Sequence, residues 1–319
     1  MVAPLDVYKV QYEQSIYQKI LRIKSRDALN DQEDHGQVID TSLLQSQNVF
    51  TLKTLLCSLL LLSGSQSFVF CQTQESTLAA EPSTDPLKLF EPREYATEEG
   101  EKLKYRLLKP ADFDADKKYP LVVFLHGAGE RGDDNEAQLV HCMAQFCTAE
   151  HRRQYPCYVL APQCPAEQKW ADVDWTVDKP DYPEKISRSL ALTLQVVEAM
   201  LADSAVDKNR LYLAGLSMGG YGTWDALARR PDLFAAAIPI CGGGSVDTVA
   251  AFKDIPLWCF HGASDNVVNV EKSRDMVAAL KAAGGEPRYT EYPGVGHDSW
   301  TQTFASEETF QWLFAQKRQ

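Results

Sequence analysis

From about residue 100 onward, apolar and polar positions fall into blocks, and each block carries the period of one secondary-structure element. The segment "KLKYRLLKP" (102–110) alternates polar and apolar residues, which predicts a half-exposed strand. "YPLVVFLHG" (119–127) is an unbroken apolar run that stops at glycine, as a strand buried on both faces should. "NEAQLVHCMAQFCTAE" (135–150) reads as a helix, and "CYVLAPQCP" (157–165) as a second buried strand closed by prolines. Residues 185–202 place Leu190, Leu194, Val197 and Leu201 on one helical stripe. A strand "RLYLAG" (210–215), a helix over 218–230, and strands in "LFAAAIPIC" (233–241) and "IPLWCFHG" (255–262) follow. A helix "VEKSRDMVAALKAAGG" (270–285) then ends in a glycine pair suited to a C-cap. The strand "PRYTEYPG" (287–294) and an amphipathic helix "ETFQWLFAQKR" (308–318) complete the pattern. Strands separated by helices of this length predict parallel β-α-β units with right-handed connections. The fold class expected is α/β, with a mostly parallel central sheet and helices on both faces. Ligands of such sheets bind beyond the carboxyl ends of the strands.

The front of the chain reads differently. Lys53 precedes an apolar stretch from Leu55 to Leu62, followed by small and polar residues and "VFC". A short apolar core behind a positive charge predicts a secretory signal over 51–71, too short to span a bilayer as a helix. Residues 1–50 are polar and mixed in charge, and two readings fit them: a mis-called start with the true beginning near Val49, or a cytoplasmic tail ahead of an anchor. Residues 72–89 read as a linker, leaving 90–319 as the folded domain. Under the signal reading the protein is secreted or periplasmic, with no stable membrane partner after cleavage.

Composition narrows the chemistry by exclusion. The 319 residues carry a formal net charge of −12, which disfavours nucleic acid. Six of the eight cysteines lie beyond residue 71, at 142, 147, 157, 164, 241 and 259. In an oxidising compartment, Cys142 or Cys147 could pair with Cys157 or Cys164. Neither C-x-x-C nor H-E-x-x-H occurs, so no metal is expected. The acidic runs "GDDNE" and "DVDW" read as solvated loops.

The candidate chemistry lies at "GLSMG". Ser217 directly follows a buried strand and opens a helix, the context that separates a nucleophile elbow from a chance G-x-S-x-G. A serine hydroxyl is inert without partners, and these should follow in the order serine, acid, histidine. Only His261 and His297 come after Ser217. His297 lies in the glycine-rich loop "YPGVGHDSW", where an imidazole can swing over a serine, and is the expected base. His261, at a strand end, reads as a hydrogen-bonded structural histidine. Asp265 is the carboxylate in the loop "HGASDNVVNV", past the strand carboxyl end, and is the expected acid. Asp225, Asp254 and Asp298 read as surface or capping charges. The amides of Met218 and of Ala128, in "HGAGERG", are the expected oxyanion donors. Trp170, Trp175 and Trp300 are candidate walls of a substrate pocket.

The stretches "LHGAGERGDDN", "DKNRLYLAGLSMGGYGTWDALARRPDLFAAAIPICGGG", "IPLWCFHGASDNVV" and "YPGVGHDSW" resemble the secreted α/β-hydrolase esterases often catalogued as predicted peptidases. Those proteins are related to the carboxylesterase/phospholipase and prolyl-oligopeptidase-like groups. The resemblance covers about residues 90–317, with its motifs in family order. It implies an α/β-hydrolase fold, a Ser217–His297–Asp265 triad, and hydrolysis of a small-molecule ester without a cofactor. Short-chain or aromatic acyl esters are the substrates expected. Two alternatives stay open: a prolyl-oligopeptidase-like serine peptidase, for whose propeller domain the chain has no blade-length repeat, and a non-catalytic binding protein on the same fold.

Overall fold

A computed structural model describes residues 83–202 and 205–318. The upstream segment 1–50, the signal at 51–71 and most of the 72–89 linker lie outside the described residues. The last residues of that linker, Pro86–Leu89, form a helical turn (α1), with Asp85 accepting from the Leu87 amide as its N-cap.

Eight strands form one sheet: β1 (Glu91–Ala96), β2 (Lys102–Leu108), β3 (Tyr119–Leu125), β4 (Tyr158–Pro162), β5 (Val206–Leu216), β6 (Ala236–Ile240), β7 (Trp258–Gly262) and β8 (Arg288–Tyr292). Their spatial order is β1-β2-β4-β3-β5-β6-β7-β8. The β1–β2 and β2–β4 pairs are antiparallel, and every other pair is parallel. The period-two geometry of a strand divides the core into two layers. Along β3, Leu121, Val123 and Leu125 enter one cluster while Val122 and Phe124 enter the other. Along β5, Leu211 and Leu213 join the first, and Tyr212, Ala214 and Leu216 the second.

The first layer is closed by α4 (Arg188–Leu201), α5 (Met218–Arg229) and α6 (Glu271–Ala282), through residues such as Val197, Trp224 and Met276. The second is closed by α2 (Met143–Cys147), α7 (Trp300–Ala305) and α8 (Glu307–Ala315), through Phe146, Phe304 and Phe310. This is the α/β arrangement expected from the strand–helix alternation, a mostly parallel sheet with helices on both faces. Among the described residues no helix is long and apolar enough to cross a membrane.

Two local expectations are corrected. The helix predicted over 135–150 is broken into a 3-10 turn (Ala137–Leu139), α2, and α3 (Ala149–Gln154). Cys142 takes a left-handed conformation at φ 65°, and the Thr148 hydroxyl caps a new helix by accepting from the His151 amide at 3.1 Å. Asp225 is not a surface charge: it is fully buried and ion-pairs with Arg229 at 2.7 Å. Desolvation raises its carboxyl to about 6 despite that partner. The same arginine donates to the carbonyls of Pro183 and Glu184, tying the long 163–187 loop to α5.

The cysteine pairings are also corrected, since all six described cysteines are free thiols. Cys164 faces the Ser189 hydroxyl at 3.3 Å, and Cys142 faces the Trp300 carbonyl at 4.0 Å. Cys147 and Cys157 are packed as small apolar groups in the second core layer. Burial pushes both of these thiols up to about 12.

Candidate active site

The site begins with the turn between β5 and α5. Ser217 sits between them at φ 53° and ψ −116°, a conformation that strains any residue with a β-carbon. Two backbone hydrogen bonds hold it there. Its own N–H donates to the Ile240 carbonyl at 2.9 Å, and its carbonyl accepts from the Tyr221 N–H at 3.1 Å. The turn also needs bare backbone on both sides. A β-carbon at Gly215 would strike the Gly219 carbonyl, and one at Gly219 would strike that of Leu125. Strand and helix can therefore approach closely enough to lift the serine hydroxyl clear of the sheet.

The structure brings Ser217, His297 and Asp265 together from three separate loops. His297 Nε2 lies 3.0 Å from Ser217 Oγ, and its Nδ1 lies 2.7 Å from Asp265 Oδ2. The Asp265 side chain is 0% exposed and that of His297 is 20% exposed, so solvent meets the imidazole but not the carboxylate. The other carboxylate oxygen, Oδ1, accepts from the amides of Val267 and Val268 at 2.8 and 3.0 Å. Burial alone would raise the Asp265 carboxyl. The bond from His297 and the two amides outweigh it and hold the group below its ordinary range. Asp298 accepts from the Thr301 amide, and Asp254 pairs with Lys253 at the surface.

His261 is fully buried beneath this line. Its Nδ1 lies 2.7 Å from Ser273 Oγ, and its Nε2 lies 2.9 Å from the Val268 carbonyl and 3.2 Å from Asp265 Oδ2. It therefore approaches the same carboxylate oxygen, Oδ2, that His297 bonds.

Met218 opens α5, where the first helical amides have no intrahelical partner, and Ala128 opens a 3-10 turn at the end of β3. The two backbones are neighbours, because a β-carbon on Gly127 would lie 3.7 Å from that of Ser217. Side chains that sequence reasoning passed over fix this loop. His126 Nδ1 donates to the Gly127 carbonyl at 2.6 Å, while Nε2 accepts from the Cys164 amide at 2.9 Å. Burial lowers His126 to about 4, so the neutral ring with its proton on Nδ1 serves both bonds. Arg131 donates to the Ala128 carbonyl at 2.9 Å.

The three tryptophans part company. Trp170 is 0% exposed and donates its indole N–H to the His126 carbonyl at 2.9 Å. It is core under the Ala128 loop, which corrects its expected place on a pocket wall. Trp300 meets the His297 ring edge-on at 5.3 Å. Trp175 is half-buried, with Lys169 Nζ 4.5 Å from the centre of its ring.

The same region presents a thiol, a carboxylate and an imidazole, on Cys241, Asp265 and His297, with ligand atoms within 4.8 Å of one another. Burial drives the Cys241 thiol far above its ordinary value, and the other two groups are committed to each other. The arrangement is fitted to move a proton between Ser217 Oγ and the imidazole, with negative charge held behind the ring.

Comparison with known proteins agrees with that chemistry. A family described as phospholipase/carboxylesterase matches residues 113–312. An uncharacterised secreted protein of Arthroderma benhamiae is 26% identical over 216 residues, covering 58% of this chain and 22% of that protein. A bifunctional acetylxylan esterase/xylanase of Neocallimastix patriciarum is 31% identical over 78 residues, which is 24% of this chain and 12% of that one. The matches thus span well under half of these two larger relatives. Mouse lysophospholipase-like protein 1 is 23% identical over 192 residues, covering 56% of this chain and 79% of its own. Among solved structures, a thermostable esterase is 43% identical with a TM-score of 0.68, over 73% of this chain and 64% of that one. A ferulic acid esterase, 16% identical with a TM-score of 0.55, shares the fold over 70% of this chain and 96% of its own.

Proposed function

The chain belongs to the phospholipase/carboxylesterase family of α/β-hydrolases, and from that premise we propose that it cleaves carboxylic esters through an acyl-enzyme on Ser217. His297 takes the Ser217 proton as the hydroxyl attacks the ester carbonyl, and returns it to the departing alcohol. Asp265 keeps the imidazole proton on Nδ1 and balances the positive charge that forms. The amides of Met218 and Ala128 receive the oxyanion. Water then repeats the sequence on the acyl-serine and frees the acid. The observation that carries this reading is the unbroken line Ser217 Oγ–His297–Asp265, at 3.0 and 2.7 Å, with the serine on a strained turn.

An ester is favoured over an amide because its alkoxide is the better leaving group and depends less on the proton that His297 returns. Short-chain and aromatic acyl esters are the substrates proposed, with Trp300 and Trp175 as flanking surfaces. Export by the 51–71 signal accords with the secreted relative. A panel of p-nitrophenyl esters, feruloyl esters, acetylated sugars and prolyl amides, run on the purified 72–319 chain, tests the reading. The short esters should turn over fastest. A tenfold or greater preference for the amides in kcat/KM would transfer the proposal to a peptidase.

A further inference from the structure

One turn beyond Ser217, α5 carries a polar group that the mechanism above does not use. Tyr221 is 2% exposed, and its hydroxyl has no hydrogen-bond partner among the described protein groups. Buried hydroxyls left unpaired are uncommon in folded proteins, and each calls for an account. A second such group faces the same ring. Trp175 packs against Tyr221 with ring centres 6.3 Å apart, and its indole N–H is likewise buried without a partner.

Several contacts place this pair beside the triad. A helical side chain leans toward the N-terminus of its helix, so Tyr221 covers the turn that starts at Ser217. Its ring edge packs where a β-carbon on Gly243 would lie, at 3.3 Å, next to the loop that carries Cys241. Tyr221 and Trp175 also share a small apolar cluster with Val268, whose amide holds the Asp265 carboxylate. Burial first, then the nearby Cys241 and Asp265, push the Tyr221 phenol up, which keeps it a neutral hydroxyl.

Building on the ester-hydrolase reading, we propose that Tyr221 Oη and Trp175 Nε1 form a subsite for a hydroxyl group of the substrate. A substrate hydroxyl has the required complement: it accepts from the indole N–H and donates to the phenolic oxygen. The aromatic faces of the two residues cover the carbon that bears it. The substrates are therefore esters with an additional hydroxyl on either the acyl or the alcohol portion. Selectivity arises because only a hydroxylated ester pairs the indole N–H and the phenolic oxygen, which stay unpaired when an ester lacking that hydroxyl is bound.

The test compares kcat/KM within two substrate pairs. For the acyl side these are p-nitrophenyl 3-hydroxybutyrate and p-nitrophenyl butyrate; for the alcohol side, glyceryl monobutyrate and propyl butyrate. In one pair the hydroxylated member should be preferred by about tenfold or more, the range expected when a substrate hydroxyl satisfies buried partners. Tyr221→Phe and Trp175→Phe should each bring that ratio close to one by slowing the hydroxylated ester. The melting temperature of Tyr221→Phe should not fall, because the hydroxyl it removes is unpaired in the free protein. Equal turnover within both pairs by the wild type would overturn the subsite while leaving the ester-hydrolase reading intact. So would a ratio that survives both substitutions, or a melting temperature that drops in Tyr221→Phe. Failure to cleave any of the four esters would overturn both.

Discussion

Ser217→Ala and His297→Ala are each expected to lower kcat on p-nitrophenyl acetate by about 10⁴–10⁶, with the double substitution costing little more than either alone. In the proposed mechanism the serine and the imidazole act as one unit, so removing either should abolish the acyl-enzyme route. What remains is the smaller effect of binding the ester against the Met218 and Ala128 amides. Both variants should fold. The strain at Ser217 is a backbone property, held by bonds to Ile240 and from Tyr221 that alanine keeps. Steady-state rates beside circular dichroism check this. Additive losses, or a variant with more than about a hundredth of wild-type kcat, would mean that the two groups do not act as one unit.

Asp265→Asn is expected to cost up to about 10⁴ in kcat, because the substituted amide presents N–H to the ring. His297 Nδ1 must then accept rather than donate, which moves the ring proton to Nε2, facing Ser217 Oγ at 3.0 Å, where it cannot act as a base. The same variant carries a pH signature in stability. The Asp265 carboxyl is held below its ordinary range in the fold. Its ionisation therefore stabilises the native chain above the unfolded value of about 4, and that contribution is lost as pH falls through the folded value. Urea unfolding of wild type and Asp265→Asn should differ most near neutral pH and converge as the pH falls below about 4. A difference that stays constant across that range would show that the carboxylate is not held by charge.

Much of this was legible in the residues because hydrophobic periodicity reports burial directly. Strands buried on both faces, such as β3, announce themselves as unbroken apolar runs, and the helix containing Val197 as a stripe. The edge strand β1 gave no such signal. It exposes most of its residues and contains Pro92, so neither alternation nor a continuous run marks it. The break at Cys142 was equally silent, since nothing in "LVHCMAQ" distinguishes a left-handed cysteine from a helical one.

The candidate triad could be located because strand ends, glycine-rich loops and chain order restrict where a base and an acid can sit. Its supports could not. Arg131 and Trp170 hold the Ala128 loop across 3 and 44 residues of sequence, and His126 bonds both the adjacent Gly127 carbonyl and the Cys164 amide 38 residues on, through contacts no local pattern encodes. Asp225 was misread for a related reason. An aspartate four residues before an arginine usually marks a solvated helix face, whereas here the pair is turned inward to anchor the 163–187 loop.

The most direct test of the central claim is to treat the protein with a fluorophosphonate and map the adduct by peptide mass spectrometry. A phosphonyl group should appear on Ser217 alone, fail to appear in Ser217→Ala, and form far more slowly in His297→Ala. An adduct on another serine, or wild-type labelling of the Ser217→Ala protein, would contradict the account.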